Sequence, residues 1–139
     1  MAELSSHHIG ITVCDLERAV EFYTDVFGLE VLAEFSVSGE AFETGVGLEA
    51  ASARFVHLKA SSIRLELVEY EPTGDQCEPP QLNDQGATHM GLEVADLDSF
   101  YESLRSDVET LSPPQTTETG TKILFVRDPE DNLLEVLEL

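Results

Sequence analysis

Apolar and polar residues alternate along His7-His8-Ile9-Gly10-Ile11-Thr12-Val13, with the apolar set at 9, 11 and 13. A period of two marks a strand with one face buried. Asp15 follows as an N-cap. Leu16, Ala19, Val20, Tyr23, Val26 and Phe27 then recur at helical spacing, and Gly28 closes that helix. Residues 30–37, 54–59 and 63–70 read as strands, the last two joined as a hairpin around Ser61-Ser62.

The same order then repeats. Thr88-His89-Met90-Gly91-Leu92-Glu93-Val94 matches residues 7–13 position by position, and Asp96-Leu97 matches Asp15-Leu16. A helix through Leu97, Phe100, Tyr101 and Leu104 follows, with strands expected over 108–111, 122–127 and 133–139. Leu65-Glu66-Leu67 aligns with Leu134-Glu135-Val136. The offset between halves therefore falls from 81 at the histidines to 69 at the glutamates, so the first half carries 12 more residues. We assign them to 38–52, a segment with Gly39, Gly45 and Gly47 around Phe42 that could form a surface loop or a flap. Residues 71–86, rich in Pro, Gly and Asp, read as a connector between a module of about 5–70 and one of about 87–139.

Each half is thus β-α-β-β-β. One such unit has a helix-covered face and an open face, and cannot complete a core alone. The expected fold is α+β: two tandem modules forming a curved, eight-stranded half-barrel with helices outside, in a single domain of 139 residues.

Strand parity selects the residues on the open face. His8 shares its face with Gly10 and Thr12, and His89 shares its face with Gly91 and Glu93. Glu66 and Glu135 lie opposite the leucines and valines that flank them. Each half therefore offers one histidine from its first strand and one glutamate from its last. His7 has the parity of Ile9 and is left out. Carboxylates in apolar strands are costly to bury unless something cationic receives them. Two imidazoles and two carboxylates suit one divalent ion, and nickel, cobalt, zinc, manganese and iron all accept such donors. The competing reading is a salt bridge from Arg64, which shares the face of Glu66. With a two-residue turn at 61–62, His57 falls opposite Glu66.

Composition changes the picture in one respect. The chain carries 28 acidic and 7 basic residues, a formal charge of −21. That surface repels phosphate backbones, so nucleic acid is not an expected partner. No apolar run reaches the length of a membrane helix, and no membrane partner is expected. Cys14 and Cys77 are isolated, as suits reduced thiols in cytoplasm. Acids scattered through apolar periodicity, with few lysines, fit a halophilic protein whose self-repulsion is screened by salt.

These residues together resemble the vicinal oxygen chelate superfamily, which includes glyoxalase I, epimerases, extradiol dioxygenases and antibiotic-resistance binding proteins. The resemblance rests on His8-Ile9-Gly10-Ile11, Asp15-Leu16 with Phe22-Tyr23 and Phe27-Gly28, Leu65-Glu66-Leu67, His89-Met90-Gly91-Leu92, and Asp128-Pro129-Glu130-Asp131-Asn132 with Glu135. It implies a metal held by His8, Glu66, His89 and Glu135, and a catalytic base at Glu135 or Glu66. It also implies a small-molecule substrate and a homodimer, in which the site forms within one chain or across two. A glutamate at 66 resembles the glyoxalase I and epimerase branch, a lyase or isomerase moving a proton on a substrate chelated through neighbouring oxygens. Arg64, His57 and Lys122 are the candidates to meet that substrate. An iron-dependent extradiol-type dioxygenase and a non-catalytic binding protein are the alternatives.

The charge yields a direct test. The midpoint of thermal unfolding is expected to rise in molar potassium chloride relative to dilute buffer. Equal or greater stability in dilute buffer removes the high-salt reading.

Overall fold

A computed structural model describes residues 2–139, which divide into two compact units, one running to Gln76 and the other Cys77–Leu139. In the first unit the order is β1 (His8–Thr12), α1 (Leu16–Phe27), β2 (Glu30–Val37), α2 (Glu40–Val46), β3 (Ser52–Ala60) and β4 (Ile63–Glu71). The strands form one sheet in the order β1-β4-β3-β2, with β1 parallel to β4 and the other pairs antiparallel. The second unit has β5 (Met90–Glu93), α3 (Leu97–Ser103), β6 (Gln115–Thr116), β7 (Lys122–Arg127) and β8 (Leu133–Glu138). Its sheet runs β5-β8-β7-β6, again mixed. Each unit is therefore a βαβββ module with a four-stranded sheet, as the repeat implies. In both, the first strand lies beside the last, which brings the histidine strand next to the glutamate strand.

The helices form where capping and periodicity place them. The Asp15 carboxylate accepts from the Arg18 amide at 3.0 Å, and Gly28 closes α1 with φ 67°. Leu16, Ala19, Phe22 and Tyr23 are buried where α1 crosses β3 and β4, whose Val56, Leu58, Leu65 and Leu67 are buried too. In the second unit Asp96 caps α3 through the Ser99 amide at 2.9 Å. Leu97 is buried there together with Leu124, Val126, Leu134 and Val136.

A matching pair of ties fixes each helix to its sheet. Glu69 of β4 accepts from the Leu16 amide at 2.9 Å, and Glu138 of β8 accepts from the Leu97 amide at 2.8 Å. Each glutamate also receives a cation from the neighbouring strand, and that cation reaches an acid in the helix's first turn. Arg54 joins Glu69, at 2.9 Å, to Glu17; Lys122 joins Glu138, at 3.8 Å, to Asp98, at 2.8 Å. The orphan amides of a helix start are met by carboxylates, which the helix dipole also favours there. Arg54 thus serves surface acids.

Two sequence expectations are corrected. Residues 108–111 form no strand: Thr110 makes one isolated bridge to Val126, and the edge strand is the short β6. Pro113 and Pro114 stand between them and donate no N–H, so the ladder cannot run through. Residues 38–52 hold the helix α2, between Gly39 and a left-handed Gly47. Its Phe42 packs with Val37 and Tyr70 against the buried cluster of Ala53, Phe55 and Val68. Among the described residues no helix is long and apolar enough to cross a membrane.

The β7–β8 register is set by the turn at 128–132. Buried Asp128 accepts from the Glu130 amide at 2.8 Å, the Asn132 amide at 2.9 Å and the Asn132 side-chain amide at 2.8 Å. Asp131 takes the left-handed conformation, φ 66°, which Asp tolerates better than most residues. Asp128→Ala leaves these donors without their acceptor and is expected to lower stability by about 2–3 kcal/mol in urea titration.

The Arg54–Glu17 pair is expected to make stability depend on pH. A hydrogen bond from Arg54, aided by a backbone contact, holds the Glu17 carboxyl below the usual carboxylate range. Such a group stabilises the fold above that range, and the contribution is lost as pH falls through its lowered value. Wild type is therefore expected to melt above Glu17→Gln at neutral pH, with the gap closing in acid. A gap that does not change with pH would show that the charge of Glu17 contributes nothing to folding.

Candidate functional site

The first half-site is built on β1, β3 and β4. Register places Ala33, His57, Glu66 and Gly10 in one row across the sheet, with His8 two residues before Gly10 on the same face. His8 Nε2 lies 3.5 Å from Glu66 Oε1. His57 Nε2 lies 2.7 Å from the other oxygen, Oε2, and donates to it. The Glu66 carboxylate is therefore shared, one oxygen toward each histidine. The His57 side chain is 7 % exposed, against 37 % for that of His8, so the site opens on the His8 side. Phe35 meets the His57 ring edge-on at 5.2 Å between centroids.

Gly10 makes this crowding possible. A β-carbon there would sit 3.8 Å from Glu66 Oε1 and 4.0 Å from His8 Cδ2, so any larger side chain would enter the space between the two donors. His7 was set aside by parity, yet its Nδ1 lies 2.8 Å from His8 Nδ1. That contact needs a proton on one of the two Nδ1 atoms, so the His7 ring helps to fix the orientation of the His8 ring. The adjacent histidine is the signal that the parity argument passed over.

The second half-site repeats this plan with one change. His89 precedes β5, and its Nε2 lies 3.3 Å from Glu135 Oε2. Gly91 pairs with Glu135, and a β-carbon there would be 3.9 Å from the same oxygen. The register position that His57 holds against Glu66 is held against Glu135 by Phe125. The Phe125 ring packs at 5.3 Å from that of His89 and offers Glu135 no donor.

Both imidazole–carboxylate separations exceed a good hydrogen bond. They lie near another spacing: bonds of about 2.1 Å put adjacent donors of a tetrahedral or octahedral ion about 3.0 to 3.4 Å apart, with the His89–Glu135 pair inside that range and the His8–Glu66 pair just beyond it. Both histidines present Nε2. Each pair thus fits two neighbouring positions of a divalent ion. Among the described residues no group of three or more His, Cys, Asp or Glu side chains is gathered as a metal site. What each unit supplies is a pair.

The other candidates separate clearly. Arg64 is exposed on β4, and the ion partners of Glu66 are His57 and His8, so the expected competition from Arg64 is absent among the described contacts. Lys122 is corrected: its ammonium sits on Asp98 of α3, on the sheet face opposite Glu135, and it leaves the substrate-contact set. The hydrogen bond to Asp98 holds its pKa above the ordinary lysine value. A cavity of about 560 Å³ in the second unit, lined by Pro79, Pro80, Leu111 and Arg127, includes none of the candidate residues.

Comparison with known proteins places this geometry in a family. Residues 5–136 match the Glyoxalase/Bleomycin resistance protein/Dioxygenase superfamily, and the chain belongs to it. A 2-epi-5-epi-valiolone epimerase from Actinomyces is 34 % identical, covering 96 % of this chain and 78 % of that protein. A lactoylglutathione lyase from Arabidopsis thaliana is 25 % identical over 94 % of this chain, which spans 43 % of that longer protein. A glyoxalase family protein from Bacillus cereus superposes with a TM-score of 0.86 at 20 % identity, covering 99 % of this chain and 95 % of that one.

Proposed function

We propose that the protein is a divalent-metal-dependent enzyme that moves a proton on a small substrate held through neighbouring oxygens, an isomerase or lyase. The two donor pairs, His8 with Glu66 and His89 with Glu135, complete one metal site, with the second pair drawn from the same chain or from a second copy. The observation that carries the reading is the repeat of one imidazole–carboxylate pair at ligand spacing in both units. The named relatives, an epimerase and a lyase, support the same class of chemistry.

When bound, the ion would polarise two substrate oxygens and make an adjacent C–H more acidic. The rest falls to side chains. His8 and His89 hold the ion as neutral imidazoles. Glu66, hydrogen-bonded by His57, stays in place. Glu135, beside Phe125, has no such restraint and serves as the base that takes the proton and returns it. Arg64, exposed on β4, is placed to meet an anionic group of the substrate.

Epimerisation is the preferred version, because the 34 % relative spans nearly the whole chain. Elemental analysis is expected to find about one divalent ion per site, lost in His8→Ala and in Glu135→Ala. In deuterated water, wild type should exchange solvent deuterium into 2-epi-5-epi-valiolone or the hemithioacetal of methylglyoxal and glutathione. Glu135→Gln is expected to slow that exchange by about 10²- to 10⁴-fold while metal content is largely kept. An empty protein grown with ample metal overturns the proposal. Unaltered exchange in Glu135→Gln moves the base elsewhere.

A further inference from the structure

The two glutamates stand at equivalent repeat positions, yet their surroundings differ at one register position. Opposite Glu66 the sheet presents His57; opposite Glu135 it presents Phe125. His57 is buried, its Nε2 is 2.7 Å from Glu66 Oε2, and Phe35 backs its ring from β2. A buried imidazole with a packed ring has little freedom to follow a moving partner. Its N–H therefore sets where the carboxylate sits and how it is turned.

From this geometry we infer that His57 is a positioning residue that fixes Glu66 as the permanent carboxylate of the metal site, a role the second unit lacks. The inference rests on the metal reading above. By holding Oε2, His57 turns Oε1 toward His8 Nε2, at the separation two donors on one ion require. Buried behind the carboxylate, it would act through Glu66 and not on the ion itself. The open side of the site is left to His8 and Oε1. A donor placed behind a ligating carboxylate removes the rotations that would otherwise have to be frozen on binding, so it acts on affinity.

The sequence of the second unit supplies the control. His57→Phe installs in the first unit the residue that the second unit uses. His57→Gln keeps an N–H donor near the position of Nε2. Cobalt binding is measured by chelator competition and by its visible absorption, on full-length wild type, His8→Ala, His57→Phe and His57→Gln. Far-UV circular dichroism and thermal melts establish that each variant is folded. His57→Phe is expected to bind cobalt about 10- to 100-fold more weakly, with an altered visible spectrum, and His57→Gln to recover most of the loss. A merely structural histidine would move the melting temperature without moving cobalt affinity, and glutamine would not rescue it. Cobalt binding lost in His8→Ala but kept within twofold in folded His57→Phe overturns the inference and leaves the metal reading standing. Equal cobalt binding by wild type and His8→Ala overturns the metal reading and the inference with it. Should His57→Phe not fold, His57→Gln against His57→Leu makes the same comparison.

Discussion

The geometry of each half-site depends on a carboxylate that is not part of it. Glu69 and Glu138 accept the first amide of the helix in their unit. Each therefore faces the helix side of its sheet. Three residues earlier on the same strand stand Glu66 and Glu135, and an odd spacing puts them on the opposite face. A slip of β4 by one residue would turn Glu69 away from Leu16 and bury Leu65 and Leu67 on the wrong side. The helix cap and the apolar face thus oppose the same error. The cation on the neighbouring strand, Arg54 or Lys122, adds a second tie to the helix. A feature on the far side of each sheet thus fixes which way the open-face glutamates point.

With parity fixed, the remaining difference between the halves is chemical. In both units a glycine of the first strand pairs with the glutamate and leaves room beside its carboxylate. Both units set an imidazole Nε2 within 3.5 Å of that carboxylate. Only the residue on the next strand differs. An N–H donor holds a carboxylate, while an aromatic ring excludes water from beside it without holding it. A duplicated module gives two carboxylates at equivalent positions, and a single cross-strand residue, His57 or Phe125, gives them different surroundings. The proposed division of roles between Glu66 and Glu135 rests on that difference.

Much of this was legible because period and repeat carry it. The alternation at 7–13 and 88–94, the caps Asp15 and Asp96, and the falling offset between halves predict two βαβββ modules, which the structure shows. Parity chose His8 over His7 for the open face. It also put His57 opposite Glu66, because Ser61-Ser62 is the turn of the β3–β4 hairpin. Other features were hidden for physical reasons. The helix α2 lies between glycines that read as loop, and its hold on the sheet comes from Phe42 meeting Phe55 and Tyr70, contacts distant in sequence. Residues 108–111 have strand-like composition, but two prolines just beyond them stop the ladder. Lys122 stood among the candidates to meet the substrate because the β7 register was not known. That register follows from the hydrogen bonds of buried Asp128, a property of the turn and not of the strand.

The charge distribution bears on the same point. With 28 acids and 7 bases, most carboxylates in this chain have no cation of their own. The scarce cations are concentrated: Arg54 serves Glu17 and Glu69, and Lys122 serves Asp98 and Glu138. Both stand on the helix side of their sheets. On the open face Glu66 meets only imidazole, and Glu135 likewise meets only imidazole among the described ion pairs. No arginine or lysine is committed to either carboxylate in those pairs. A carboxylate in an apolar strand is tolerated where a cation can reach it. A chain that spends its few fixed cations on helix anchorage thus leaves histidine to face the glutamates of its open sheet faces, the donor set on which the proposed divalent-ion site rests.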